Sequence, residues 1–514
     1  MSSGGPAGPE AGETSEVDVL VVGGGVAGLV AARQLARLGH SVLVVEERSG
    51  PGGFVAAHDV AGIRLDAGAE SFATRKGTVA ALAAELGLGD DVVVPAGAGA
   101  WVHWSGGTAP LPAAGVLGIP GVPLATDVRR VIGWPGSLRA YLDRLMPILR
   151  VRPEHDLGDI VRRRMGRRVL DRLVTPVVAG VHSSDPGDVD VRTVAPGLTQ
   201  AMTTQGSLSG AVMALREQAP AGSQVQGIVG GMHRLVEALE RDLAFYGGTL
   251  ESGTRVLSLA PVSNATNGTT AGPGDAIPDA RVGWSVTLAP ADRTVAARTV
   301  SAHAVVVAAG FRPALQLLAE AGVGDVTGAP ELPGAGVWPE PASVALATVV
   351  IDDPRLDAAP RGTGVLVAPG TPGVTAKALT HSTAKWAWLA AGLPAHRHVL
   401  RLSYGRRGDE PGVADRVDLD TVIADASTLL GVRLDPSRVV GSDVVTWNDS
   451  LAFATVGHKA RVTQTLEAVA AVPALDVVGA WVSGTGLAAT VELARGTASA
   501  LAAELRGAPR LHHE

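Results

Sequence analysis

Cysteine is absent from the 514-residue chain. Without a thiol there is no redox disulfide, no thiolate nucleophile, no cysteine-ligated iron–sulfur cluster and no thioether-linked cofactor. Long apolar runs are missing too. The hydrophobic fraction of 46% comes largely from Ala and Val, and no uninterrupted run reaches the roughly 18 residues that a spanning helix needs. Positive charge is in deficit: 43 Lys and Arg against 50 Asp and Glu leave a net charge of −7. That argues against nucleic acid as a partner and requires any anionic substrate to find a local positive pocket. The 13 histidines show no metal-ligand spacing. His396 and His398 flank Arg397 in a polar loop and His512 and His513 lie near the end, so no metal is expected. The first 16 residues have neither a basic start nor an apolar centre, which predicts a disordered leader over 1–16, no secretory signal and a cytoplasmic protein.

What is present begins with VDVLVVGGGVAGLVAARQLARLGHSVLVVEE, Val17 to Glu47. An apolar run of parallel-strand type, Val17 to Val22, leads into a GxGxxG turn at Gly23, Gly25 and Gly28. A helix with one apolar face follows (Leu29, Ala32, Leu35, Ala36), then a second strand. The first glycine permits the tight turn, the second lets a pyrophosphate approach backbone N–H groups, and the third allows close packing of helix on strand. The diphosphate then meets the positive end of the helix dipole. Glu46 closes the second strand about twenty residues on, where a carboxylate accepts hydrogen bonds from an adenosine ribose and disfavours a 2′-phosphate. NAD and FAD both satisfy this unit. The pair Gly52-Gly53, followed by IRLDAGAESFATRK (Ile63 to Lys76), suits a backbone wrapped around a larger, enclosed cofactor and favours FAD.

Further along, VAALAAELGLGDDVV reads as an amphipathic helix with a glycine stop, and a Gly/Pro/Trp-rich segment runs to about Pro135. DIVRRRMGRRVLDRLV (Asp159 to Val174) is helical and basic, and its arginines are expected on a solvated face. QGIVGGMHRLVEALERDL is a glycine-led helix. Asn264 to Asp279 is a low-complexity loop, and WSVTLA and TVSAHAVVVAAG return to the first sheet as strands. SVALATVVI, GTGVLVAPG and HVLRLSYGR have the spacing of an antiparallel sheet in a second lobe. LDVVGAWVSGTGLAATVELARGTASALAAEL repeats the strand, glycine turn, helix grammar, so a second helix N-terminus is expected near the cofactor.

The sequence resembles the protoporphyrinogen/coproporphyrinogen oxidases of haem synthesis, within the flavin amine oxidase superfamily. The similarity covers nearly the whole chain and rests on DAGAESFATRK, RRRMGRRVLDRLVTPVVAGVHSSDPGDV, GIVGGMHRLVEAL, LTHSTAKWAWL followed by LRLSYGR, and VTWNDSLAFATVGHKARV. It looks most like the bacterial type without a membrane anchor. The fold it implies is α/β: a Rossmann-like FAD-binding domain of the flavin amine oxidase type, a mixed-sheet substrate domain and a helical lobe. The FAD-binding domain is expected to be discontinuous (17–80, 222–320 and 440–510), with the helical, membrane-type lobe and part of the substrate domain in 81–221 and the rest of the substrate domain in 321–439.

The resemblance implies non-covalent FAD. The phosphate turn is Gly23, Gly24, Gly25, Val26, Ala27 and Gly28, with Glu46, Glu47 and Arg48 at the adenosine end and Gly53 and Phe54 beside the wrap. Gly68, Ala69, Glu70 and Ser71 match a family turn along the cofactor, and Val256 a backbone contact to adenine. Trp447 and the turn Gly484, Thr485, Gly486, Leu487 match residues near the flavin ring. For substrate, Lys76 with Arg75 beside it matches a cation for a propionate. Gly180 matches a carbonyl that meets pyrrole N–H groups, and Leu366 and His381 match side chains that clamp the macrocycle.

The implied reaction passes hydride from a bridging carbon of a porphyrinogen to the flavin and electrons onward to molecular oxygen. It needs positioning and no catalytic side chain or metal. Transient contact with haem-pathway enzymes or a membrane surface is also implied. The chain departs from the family pattern at Gly50 and Phe54, where basic residues are usual and the nearest cation is Arg48. It departs again at His381, usually aromatic, and at Phe453-Ala454-Thr455, usually Pro-Gln-Tyr. Rival readings are protoporphyrinogen IX as substrate, amine oxidation or carotenoid desaturation on the same fold, and a scaffold without activity. The three tyrosines, Tyr141, Tyr246 and Tyr404, leave none in the C-terminal cofactor segment to clamp an amine.

Overall fold

The computed structural model describes residues 15–147, 156–182, 184–218, 225–263, 282–292, 294–340, 342–406, 412, 416–450, 455–484 and 486–507. Most of the expected leader over 1–16, the loop Asn264 to Asp279, Phe453, Ala454, Thr485, His512 and His513 lie outside the described residues.

Two seven-stranded sheets organise the chain. The first is centred on β1 (Ser15–Val22), which pairs in parallel with β2 (Val42–Glu46) on one side and with the strand Arg298–Val307 on the other. Helix α1 (Val26–Arg37) crosses between β1 and β2. The order across the sheet is 249–252, β2, β1, 298–307, 282–290, 254–263, with 475–477 also on 298–307. Successive residues of β1 enter opposite cores. Val19 and Val21 pack with α1 and the helices His233–Phe245 and Leu487–Leu505, while Leu20 and Val22 pack with Trp284, Trp338, Trp481 and the helix Phe311–Glu320. Both faces are covered, which is why β1 reads as a continuous apolar run and not as an alternation.

The second sheet runs 439–450, 342–352, 397–404, 378–381, 364–367, 100–104, 107–110, antiparallel except where Gly364–Val367 pairs in parallel with Ala100–Trp104. One face packs on the helix Leu419–Leu430. The other carries Leu366, Thr380, Arg401 and Thr348, which the register places on one side. The strand Val439–Ser450 pairs with Ala342–Asp352 and so belongs to this sheet and not to the first.

The basic helical segment is as expected at Arg162, Arg163, Arg167 and Arg168, which are exposed, and differs at Arg164 and Arg172. Arg162 and Arg163 do face solvent beside Asp159, but Arg164 is buried against Asp143. Arg168 and Arg172 donate to the carbonyls of Ile132 and Val131. The reason lies in the helix Thr126–Tyr141, which Gly133 and Pro135 break. Proline has no N–H for Val131 O, and the guanidinium of Arg172 takes its place at 3.0 Å. The same helix and the turn after it expose a stripe of Trp134, Leu138, Tyr141, Leu142 and Leu145. Among the described residues no helix is long and apolar enough to cross a membrane.

Candidate cofactor and substrate site

The ends of β1, β2 and the strand Arg298–Val307 open into a cavity of about 720 Å³, within the range of pockets that enclose a small-molecule ligand. The glycine turn shapes one wall. A β-carbon on Gly23 would stand 2.8 Å from Ala308 O and one on Gly28 only 2.0 Å from Gly23 O, so these positions close the strand and helix onto each other. Gly25, the N-cap of α1, has nothing within 4 Å of such a carbon. That open space in front of a helix N-terminus is where a diphosphate sits.

Of the residues singled out from sequence, Gly23, Gly25, Val26, Ala27, Glu46, Glu47, Arg48, Gly53, Phe54, Ala69, Val256, Trp447, Gly486 and Leu487 line this one cavity. Gly24 donates its N–H to Glu46 Oε2 at 2.7 Å, and Glu46 Oε1 accepts from Arg48 N at 2.9 Å. A carboxylate has about four acceptor sites, so two remain for ribose hydroxyls. Arg48 and Arg255 are cations in the lining; Arg255 faces Glu47 at 3.7 Å, and the Arg48 guanidinium lies 4.8 Å from the Trp447 ring centroid. Phe54 meets the other side of that cluster, 5.1 Å from the Trp447 centroid. The position that lacks the usual cation thus places a ring tilted by 50° against Trp447, the ring over which Arg48 lies.

Sequence reasoning missed two stretches of the wall. Ala308 to Phe311, with Gln316 and Leu317, supply one after the strand Arg298–Val307, and Gly479 to Trp481 the other after the strand Leu475–Val477. The small-residue turn AAG at 308–310 was the available signal. Trp481 Nε1 is buried in the wall with no partner among the described residues. Beside Val256 the ladder shifts register, and a bulge leaves backbone groups off the sheet. These features fit a dinucleotide: glycine cradle, ribose acceptor, adenine edge and orphaned donor.

Other candidates stand elsewhere. Gly68 cannot carry a side chain, because a β-carbon would meet Phe54 O at 2.0 Å. Glu70 turns away from the cofactor cavity and is held by Trp386 Nε1 at 2.8 Å, Lys385 at 3.6 Å and Arg401 at 3.8 Å. Burial pushes its carboxyl upward, but the two cations, with Ser382 and Trp386, outweigh that and hold it below its ordinary value. Ser71 precedes the short strand Phe72–Ala73, and Gly484 precedes the undescribed Thr485.

The substrate candidates divide. Gly180, in the helix Thr175–His182, abuts Leu366. His381 is not with them. It is 1% exposed on the opposite face of the second sheet, bonded to His398 Nδ1 at 3.1 Å, because its strand alternates and Thr380 takes the side shared with Leu366. Burial, with His398 second, lowers its pKa to about 4. Lys76 is 70% exposed and holds both oxygens of Glu492 at 3.0 Å. It lies outside the cavity lining, and its partner Glu492 stands five residues, about 7.5 Å, along the helix axis from Leu487. Arg75 opens the same turn, Arg75–Gly77.

Residues 26–333 match the family described as flavin containing amine oxidoreductase. Coproporphyrinogen III oxidase of Bacillus subtilis is 25% identical, covering 91% of this chain and 94% of its own. The Mycobacterium leprae protein of the same name is 28% identical, covering 94% and 98%. A solved chain from Exiguobacterium sp. 255-15, a protoporphyrinogen oxidase candidate, superposes with a TM-score of 0.76 at 23% identity, covering 96% of this chain and 99% of that one. Putrescine oxidase shares the fold at a TM-score of 0.60 and 14% identity, covering 96% and 100%. The family match takes in more than half of the 514 residues, and this protein belongs to the flavin-containing amine oxidoreductases, with FAD as the cofactor of the cavity.

Proposed function

We propose that the protein oxidises coproporphyrinogen III to coproporphyrin III in haem biosynthesis, a six-electron reaction with molecular oxygen as acceptor and hydrogen peroxide as by-product. The observation that carries this reading is the near full-length similarity to two coproporphyrinogen III oxidases. Bound FAD supplies the two-electron acceptor for a hydride leaving the substrate's bridging carbon. The chain's part is positioning. At the end of the cavity formed by Ala69, Gly479 to Trp481, Gly486, Leu487 and Thr490, the lining residues carry no titratable group. Such a wall excludes water without offering a competing acid or base. Gly180 and Leu366 edge the macrocycle, and Lys76 takes a propionate by exchanging it for Glu492.

In the same reading the stripe of Trp134, Leu138, Tyr141, Leu142 and Leu145 rests on a membrane surface. Arg129 lies 4.4 Å from the Trp134 ring and Arg144 5.9 Å from that of Tyr141, a pairing of interfacial aromatics with cations suited to anionic headgroups. Co-sedimentation with anionic vesicles, lost on Trp134→Ser with Leu145→Ser, is the expected result; equal recovery of both proteins rejects it.

The substrate is tested by incubating the holoprotein in air with coproporphyrinogen III and, separately, protoporphyrinogen IX and following porphyrin fluorescence. Faster turnover of the first is expected, and equal or reversed rates overturn the assignment.

A further inference from the structure

The loop between the strands Ile63–Asp66 and Phe72–Ala73 walls the cofactor cavity through Ala69 and is held by side chains of the second sheet. Trp447 Nε1, from the strand Val439–Ser450, donates to Ala67 O at 2.9 Å. Arg401 Nη2, from the strand Arg397–Tyr404, donates to Gly68 O. These strands flank Ala342–Asp352 on either side, so two consecutive carbonyls of the loop hang from two arms of one sheet. On its other side the loop meets Phe54, whose carbonyl accepts from Ala69 N at 2.6 Å and blocks any side chain at Gly68.

We infer that Arg401 is a positioning residue for the flavin, clamping the loop of Ala67 to Ala69 against the cofactor from the substrate-side sheet. Its side chain is only 10% exposed, and its counter-ion Glu70, 13% exposed, belongs to the clamped loop itself. Lys385 and Trp386 grip the same carboxylate from the segment after the strand Ala378–His381. A buried guanidinium whose closest partner is a loop carbonyl and whose counter-ion is two residues along fixes both position and orientation of that loop. In the sheet Arg401 pairs with Thr380, and Thr380 with Gly364, two residues from Leu366 on the same face. One rigid surface therefore carries both the flavin wall and the contact to Gly180. The inference rests on the flavin site and not on which porphyrinogen is oxidised.

The test compares holoprotein with Arg401→Gln, Arg401→Lys and Glu70→Gln, measuring the FAD dissociation constant by flavin fluorescence and the visible circular dichroism of the bound flavin. Arg397→Gln serves as the control, since Arg397 sits on the same strand but pairs with Asp352 at 2.8 and 2.9 Å away from the loop. Arg401→Gln is expected to weaken FAD at least tenfold and to alter the flavin signal. Arg401→Lys is expected to fall between it and wild type, and to decide the matter should the glutamine variant not fold. Glu70→Gln should show a smaller change in the same direction, and Arg397→Gln none. Wild-type FAD affinity and an unchanged flavin signal in both Arg401 variants overturn the inference, as does an equal change in Arg397→Gln, which would mark a general loosening of the sheet.

Discussion

Gly180 and Leu366 meet where the helix Thr175–His182 lies on the second sheet, so closely that a β-carbon on Gly180 would stand 2.7 Å from Leu366 Cδ2. The clash falls on the end of a flexible side chain, which can turn aside, while alanine in a helix is favoured over glycine by up to about 1 kcal/mol. Gly180→Ala is therefore expected to leave the melting temperature unchanged or slightly raised while lowering kcat/KM for the porphyrinogen roughly tenfold, about 1.4 kcal/mol. Adding Leu366→Ala should return part of the loss. A fall in stability with activity intact would contradict the account.

The pair formed by Lys76 and Glu492 gives opposite expectations for its two members. Lys76→Ala removes the cation proposed for a propionate and should raise KM more than it lowers kcat. Glu492→Gln frees the cation and should lower KM, by no more than about fivefold because an exposed ion pair is worth about 1 kcal/mol or less. Steady-state kinetics on both variants suffice, and a rise of KM in each would show that the pair serves the fold alone.

Two glycines of the same turn should fail in different ways. Gly28→Ala forces a β-carbon against backbone 2.0 Å away, a strain of about 3 kcal/mol or more, and the variant should be recovered unfolded or without cofactor. Gly25→Ala meets no atom within 4 Å and has an ordinary φ of −70°. It should keep the thermal stability of the apoprotein and lose FAD affinity, measured by fluorescence titration. Equal affinity would mean the diphosphate lies elsewhere.

His381 and His458 are both buried and both lowered to about 4, burial being the main cause in each. A depressed pKa means the folded state takes up its proton later than the unfolded chain. Their contribution to stability is therefore full above pH of about 6.5 and lost as pH falls towards 4. The melting temperature should drop across that window, and His381→Phe should flatten part of the slope, by up to about 1.4 kcal/mol per pH unit. An identical slope in the variant would assign the loss to other groups.

Much of the cofactor site was legible because it is local. Gly23 to Gly28 and Glu46 lie within one βαβ unit, where chain order and strand period fix who stands beside whom. Leu366 and Gly180 were brought together from 186 positions apart by matching motifs, and they touch. His381 shows the limit: the family motif puts it with Leu366, but a single step of strand alternation decides the face, and Thr380 takes the side shared with Leu366. Arg172 departs from the expected solvated face because helical period alone cannot show that Pro135 leaves the carbonyl of Val131 open, 41 positions before that arginine.

By itself the sequence determined a dinucleotide turn, its helix and its acid, since backbone sterics and helix dipoles act over a few residues. It also set the chemistry that a chain without cysteine can offer. Only the tertiary structure decided that Glu70 is held by Trp386, that Lys76 is engaged by Glu492, and that Arg401 holds Gly68. Those partners are separated by 316 to 416 positions. Their meeting is set by how the two sheets and the last helix pack, through burial and register that no local pattern encodes.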